Sequence, residues 1–432
     1  MTLIEIVVLA GSFFILLLLG VPISFSIGLA TIFTMLLSIK TVPALTTVAQ
    51  RMATGLDSFA LLAIPFFILA GQLMNRGGIA KRLIDFAKSL VGIFPGGLVF
   101  VNILACMLFG AISGSAVAAA AAIGGFMIPM MNKEGYETSF GAAVNITSST
   151  TGLVIPPSNI LIVYSLASGG ASVAALFLAG YIPGIIVGLA LMVVAGIFSF
   201  KRGYPKAGSV SLKDALLRFL QALPSLFLLI VVIGGIVAGY FTATEASAVA
   251  VLYTFILSVL IYREVKWKEL PKILLDTSAT TAIVMLLIGT SIGMSWIMSY
   301  ENIPQNISAA LISLTDSKIA ILLIINVILL LVGTFMDMTP AVLIFTPIFL
   351  PVVTELGVDP VHFGIIMVLN LCVGLCTPPV GSVLFVGCGI ADISIAKVIR
   401  PLFPLWIAMI FGLLLVTFLP ELSMIVPRFF GF

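Results

Sequence analysis

Long apolar runs recur along the chain, separated by short polar or Pro/Gly-containing stretches; Ile4–Leu19, Ile185–Phe200 and Ile319–Leu331 are representative. Crossing a hydrocarbon layer about 30 Å thick takes roughly 20 apolar residues in a helix. By that criterion the pattern predicts about ten spanning helices and four half-length ones. Two segments differ. Ile79–Val91 and Ile303–Leu314 are amphipathic with a helical period, so each should place one face against apolar surroundings and the other in water. Each follows an apolar stretch, 58–74 and 277–298, and each precedes another, about 95–131 and 319–354.

This shared order is an internal repeat. Ser115, Pro129, Pro156 and Pro157 are matched by Asp337, Pro351, Pro378 and Pro379, each pair 222 residues apart. Charge then orients it. Lys and Arg cluster at Arg76/Lys81/Arg82/Lys88, at Lys201/Arg202/Lys206/Lys213/Arg218, at Arg263/Lys266/Lys268/Lys272 and at Lys397/Arg400. Positively charged loops stay in the cytoplasm, so all four are expected there. Loops carrying Glu301, Glu355 and Asp359 are poor in positive charge and are expected outside. Threading the segments between these marks puts both termini outside. It also makes 95–131 a re-entrant hairpin from the cytoplasm and 319–354 one from the outside. The halves begin on opposite sides, so the repeat is inverted, and inverted repeats with matching broken helices mark secondary transporters. The expected organisation is scaffold helices and a first arm (1–94), a first hairpin and broken helix (95–168), more scaffold and a second arm (169–318), a second hairpin and broken helix (319–390), and a final scaffold helix (391–432).

Composition narrows the class further. Of 432 residues, 61% are hydrophobic and 9% charged, with a mean hydropathy of +1.30; a soluble domain carries about 25% charged residues. The first positive charge is Lys40, so no cleavable signal peptide is expected. Cys106, Cys372, Cys376 and Cys388 lie in apolar stretches, and Cys372 and Cys376 are four apart. They read as small packing residues, with no transition-metal site expected. His362, the only histidine, follows an acidic, Pro-containing turn and is expected at the interface, which argues against a histidine proton relay. No catalytic cluster stands out, so an enzyme is not expected, nor is any cofactor beyond a coupling ion.

The candidate chemistry lies where the apolar helices break. The first hairpin turns at Ser113-Gly114-Ser115, the second around Thr334–Pro340. The helix after the first hairpin is interrupted by Asn145–Gly152 and then Pro156-Pro157-Ser158-Asn159. Its counterpart carries Asn370, Gly374, Thr377-Pro378-Pro379 and Gly381-Ser382. Tandem prolines remove backbone donors and free carbonyls one turn back. Irregular backbone at membrane depth survives only when buried in protein or lining a wet cavity, so the breaks should converge near the midplane. Unwound carbonyls with Ser, Thr and Asn oxygens suit Na⁺, and half-helix N-termini suit an anion. The Na⁺ candidates are Ser113, Gly114, Ser115, Asn145, Ser149 and Gly152 in one half, and Gly333, Thr334, Asp337, Thr339, Asn370 and Thr377 in the other. The substrate candidates are Ser115, Thr150, Pro156, Pro157, Ser158, Asn159, Pro378, Pro379 and Ser382. Neither Lys nor Arg falls in the breaks, which favours cation-coupled uptake of an anion.

Each signal has a plainer reading. Ser113-Gly114-Ser115 fits a small-residue packing patch, and the 147–151 Ser/Thr run fits hydroxyls bonded back to their own helix. Pro156-Pro157 fits a structural kink, and Asp337 a helix cap. Thr242-Ala-Thr-Glu245 reads as a capping box rather than a proton site.

Taken together, Ser58–Gly71 (SFALLAIPFFILAG), Phe109–Ser115, Ile155–Ser158, Thr242–Ala246, the run from Pro340 and Thr377–Gly381 resemble the large permease subunit of TRAP transporters, the DctM type. The resemblance covers nearly the whole chain. It implies an elevator-type, Na⁺-driven importer of organic acids such as C4-dicarboxylates or sialic acids in the bacterial inner membrane. It further implies two partners, a small four-helix membrane subunit (DctQ type) and a periplasmic substrate-binding protein (DctP type). In some relatives the small subunit is fused in front; here it is expected as a separate polypeptide. The rival from another class is a stand-alone sodium/anion symporter of related inverted fold. A channel, which would more naturally be a symmetric oligomer, and any nucleic-acid role fit less well.

Overall fold

The computed structural model describes residues 3–207, 212–315 and 317–432. Helices α1 (Leu3–Leu18), α2 (Ile23–Ser38), α3 (Thr41–Leu56) and α4 (Ala63–Arg76) open the first half, and α5 (Ile79–Val91) is its amphipathic arm. The helices α6 (Gly97–Ser113) and α7 (Ala116–Lys133) form a hairpin, α8 (Thr138–Thr151) and α9 (Asn159–Ala167) one broken helix, and α10 (Val173–Lys201) a long return. The second half runs α11 (Leu212–Val237), α12 (Ala243–Phe255), α13 (Leu270–Tyr300) and the arm α14 (Ile303–Leu314). Its hairpin is α15 (Lys318–Phe335) and α16 (Met338–Glu355), its broken helix α17 (Pro360–Leu375) and α18 (Ser382–Ala391), followed by α19 (Ile395–Phe418) and the short α20 (Glu421–Phe429). Among the described residues nine helices are long and apolar enough to cross a membrane.

The repeat is carried by the backbone. The second hairpin helix runs from 116 to 133 in one half and from 338 to 355 in the other, offset by 222 at both ends. Its N-cap is Ser115 in one copy and Asp337 in the other, and both tandem prolines are cis. The close helix crossings match as well. A Cβ on Gly152 would meet the Gly110 Cα at 2.4 Å, and one on Gly374 would meet the Gly333 Cα at 2.6 Å. In each half the first hairpin helix and the broken helix thus touch backbone to backbone, which only glycine permits. The capping box expected at Thr242 forms: Thr242 N donates to Glu245 Oε2 at 2.8 Å, and Glu245 N to Thr242 Oγ1 at 3.2 Å.

Two packed groups emerge. One holds α1–α4 and α11–α13, with α12 on α4 and α2 on α13, so the halves interlock. The other holds both hairpins and both broken helices, again interlocked: α9 packs on α16, and α18 on α7. Two expected boundaries need correction. The return helices α10 and α19 were assigned to the scaffold, but α10 packs on α6, α8 and α17, and α19 on α8, α10 and α17. Their apolar faces close the outside of the hairpin group, and the terminal α20 lies on α10. The arms bridge the groups: α5 touches α6 and α11, and α14 touches α16 and α13.

The four basic clusters gather on one face. Arg76 pairs with Asp276 at 2.6 Å, Arg82 with Glu264 at 3.8 Å and Arg202 with Glu137 at 2.5 Å. Arg218 reaches the Asp85 carbonyl at 3.5 Å, and Arg400 acts on the Glu137 carboxylate. His362, in the first turn of α17, is covered by α20, and its Nδ1 lies 2.6 Å from Ser423 Oγ.

Candidate functional site

The hairpin tips form where the sequence placed them. α6 stops at Ser113 because Gly114 takes a left-handed conformation (φ +63°) and its N–H closes on the Gly110 carbonyl. Ser115 Oγ then accepts from Ala118 N at 3.2 Å to start α7. In the other half only Met336 and Asp337 separate α15 from α16. Asp337 sits at the N-cap but makes no capping bond, and it is exposed to the space in front of it. The cap reading holds for Ser115 and fails for the Asp337 side chain.

That space is a cavity of about 200 Å³ on which both tips and both broken helices converge. Gly114, Ser115 and Asn159 line it from one half, Asp337, Thr339 and Ser382 from the other. Ile64 and Ile68 in the first half of α4 and Thr280 and Val284 near the middle of α13 close it. Asp337 is its only charged lining residue among those described. Ser382 Oγ is buried and finds no hydrogen-bond partner among the described residues. A bare carboxylate and an orphaned hydroxyl leave oxygens free for a hard cation, and the starts of α7, α9, α16 and α18 bring backbone N–H groups toward the same region.

Other expected site residues stand behind this wall. The Ser113 carbonyl faces Gly71 of α4, where a Cβ would come within 2.9 Å. The Thr334 carbonyl accepts from Gly381 N at 3.0 Å. Thr377 Oγ1 donates to the Val373 carbonyl and accepts from Trp406 Nε1 at 2.7 Å. Gly152 and Gly333 serve the two helix crossings. Pro156 and Pro157 are buried behind the break, beside Gly180 of α10, while Pro379 is exposed. Ser158 Oγ bonds the Leu153 carbonyl.

Four further candidates, Asn145, Ser149, Thr150 and Asn370, lie within continuous helices, and here the expected break is corrected. α8 is continuous from Thr138 to Thr151, so only 152–158 is unwound. Ser149 and Thr150 return their hydroxyls to the Ile146 and Thr147 carbonyls, which satisfies them without unwinding. Asn145 donates to the Ala120 carbonyl at 3.0 Å, tying α8 to α7. Asn370, within the equally continuous α17, donates to Asn326 Oδ1 at 2.9 Å, and Asn326 in turn donates to Thr417 on α19. Cys372 and Cys376 pack as expected, their thiols directed at the Thr150 and Ile146 carbonyls of α8. Sequence reasoning missed Thr280 and Trp406. The Thr277–Thr281 polar cluster inside an apolar span was a usable signal for the first; the second had none.

Comparison with known proteins places this architecture. A family model described as "Tripartite ATP-independent periplasmic transporter, DctM component" matches residues 10–422. The chain is 56% identical over 426 residues to the uncharacterized protein YgiK of Salmonella typhimurium, covering 99% of this chain and 98% of that one. It is 39% identical over 437 residues to the C4-dicarboxylate TRAP transporter large permease protein DctM of Rhodobacter capsulatus, covering 98% and 99%. Among solved structures, the YdaH transporter of Alcanivorax borkumensis superimposes with a TM-score of 0.64 at 15% identity, over 88% of this chain and 89% of that one. At that identity the likeness concerns the fold alone.

Proposed function

The chain belongs to the DctM family of tripartite ATP-independent periplasmic transporters, and from that premise we propose that it is the Na⁺-coupled, substrate-translocating subunit of an organic-acid importer. The cargo is a small carboxylate or related anion, in the class of C4-dicarboxylates and sialic acids. Its partners are a small membrane subunit and a periplasmic carrier protein. The basic face is the cytoplasmic one, in keeping with the positive-inside rule, and both termini are periplasmic.

The observation that carries this reading is the midplane cavity between the two repeats, with a single carboxylate and no cationic side chain among the described lining residues. Such a site holds an anion only together with a compensating cation. Na⁺ fits Asp337, Thr339 and Ser382, whose oxygens are hard ligands. In the first half the Ser115 hydroxyl is engaged as a cap, so a second Na⁺ there would rest on carbonyls around Ser113 and Gly114. Na⁺ bound first would raise affinity for the anion, and the anion would raise affinity for Na⁺ by the same factor. Movement follows from the packing: the hairpin group, including α10 and α19, slides as one body against α1–α4 and α11–α13, the arms α5 and α14 bracing it. Alternating access then needs no rearrangement within the site.

The test is uptake of labelled succinate and sialic acid by the chain with its small subunit in proteoliposomes. Inward Na⁺ gradients and added carrier protein should both be required. Uptake that proceeds equally in K⁺ would remove the coupling, and full uptake without carrier protein would favour a stand-alone symporter.

A further inference from the structure

A second polar cavity, of about 470 Å³, lies nearer the Glu301 end of α13, between the two packed groups. The scaffold side contributes Arg51 from α3, Ser58 from the turn that follows, and Ser291, Ser295 and Ser299 from α13. Spaced four residues apart, those three serines share one face of α13. Apolar residues of α9 and α16 form the opposite wall.

Two features of this cavity have no structural explanation. Arg51 is its only charged lining residue among those described. The guanidinium has no ion pair or hydrogen bond among the described residues and rests over the Trp296 ring, 5.4 Å from its centroid. Arg51 thus keeps its five donors available beside the aromatic face. Ser291 is the second. It is 2% exposed, yet its hydroxyl has no partner among the described residues. Thr277, Thr280 and Thr290 on the same helix return theirs to the carbonyl four residues back, and Thr281, the other unpaired hydroxyl of α13 among the described residues, lies outside this cavity. A buried hydroxyl left unpaired where that bond is available next door is turned to something else.

We propose that this vestibule is an entry subsite for one carboxylate or sulfonate group of the cargo, paired with Arg51 and hydrogen-bonded by the α13 serines before the anion reaches the midplane cavity. The inference rests on the reading that the cargo is an organic anion. It adds a station the midplane cavity lacks, one with a fixed positive charge, so here the anion binds without a cation partner. A planar guanidinium held by an aromatic face matches a two-oxygen acceptor. Both packed groups line the space, so an anion seated there lies at the boundary the moving body must cross.

The test reads binding apart from transport. In the purified chain with its small subunit, Trp296 reports on Arg51, and the signal belonging to it is the part absent from Trp296→Phe. Succinate should change that emission saturably with or without Na⁺, while its neutral analogue succinamide should not. The response should weaken in high salt and vanish in Arg51→Gln. In proteoliposomes Arg51→Gln should raise the KM for succinate about three- to fivefold, the range of an exposed ion pair, with Vmax unchanged. Arg51 is exposed, so the variant should melt like the parent. An absent wild-type response, an equal response to succinamide or a response surviving Arg51→Gln would each overturn the subsite. Impaired uptake in Arg51→Gln with the Trp296 response to free succinate intact would overturn the subsite and reassign Arg51 to docking of the carrier protein. Absence of any anion uptake alongside a normal Trp296 response would instead count against the transport reading.

Discussion

At the scale of single residues the site divides into groups that are satisfied and groups that are not. Ser115, Ser149, Thr150 and Asn145 have partners within the fold; Asn370 donates to Asn326, but its Oδ1, like the Ser382 hydroxyl, has no partner among the described residues, and the Asp337 carboxylate makes no capping bond. Asp337→Asn should therefore raise the Na⁺ concentration for half-maximal uptake on the order of ten- to a hundredfold, the worth of one charged hydrogen-bonding group. Ser149→Ala should leave it unchanged, and a Na⁺ titration of uptake separates the two. Glu137 offers a control far from the site. The Ser139 hydroxyl first, and then Arg202, hold its carboxyl below the ordinary value of 4.5. A carboxylate with a lowered folded-state pKa adds stability above its unfolded value and loses it as pH falls through the folded one. Glu137→Gln should thus cost less than about 1 kcal/mol at neutral pH, since the pair is well exposed, and melting curves of parent and variant should converge as pH falls below 4.5 and through the lowered folded-state value.

At the scale of elements, glycine decides how closely a hairpin lies on its broken helix. Gly110→Ala and Gly374→Ala each drive a methyl into backbone, which cannot yield as a flexible side chain can. Each should destabilise the protein by about 1–3 kcal/mol. Gly125→Ala on α7 meets nothing within 4 Å and should be neutral or stabilising by up to about 1 kcal/mol. Thermal unfolding in detergent compares the three. The elements themselves were legible in the sequence: both turns, both arms, the capping box and the 222-residue offset stand where the apolar pattern put them. The extent of unwinding was not. A polar run such as Asn145–Thr151 looks like a break in a hydropathy trace, yet Ser and Thr can satisfy themselves on a continuous helix, and Asn145 can bond across to α7. Nor did polarity reveal the Gly110–Gly152 crossing, since a glycine's neighbours are set by tertiary packing.

At the scale of the whole molecule, the repeat was readable and the grouping of its helices was not, because α10 up to its terminal Lys201, and α19 beyond Lys397 and Arg400, are apolar throughout and carry no mark of the partner they choose. If the hairpin group slides as one body, a link across the second cavity should stop it. Cysteines replacing Thr54 and Ala167, which line opposite sides of that cavity, can be joined by a short bismaleimide. Uptake should cease while succinate binding persists; normal uptake after full cross-linking would end the sliding account. The two tips also differ in what they rest against. The first leans on α4 at Gly71, whereas the second is separated from Met294 and Met298 of α13 by an apolar cleft of about 490 Å³, also lined by Phe13 and Phe335. Water gains nothing in a space without polar partners, so in the bilayer lipid tails fill it. If the hairpin group slides, each stroke must squeeze oil from one side and draw it in on the other. The bilayer thereby acts as a viscous damper, and turnover should follow the fluidity of the acyl chains even where the affinity for Na⁺ and cargo does not.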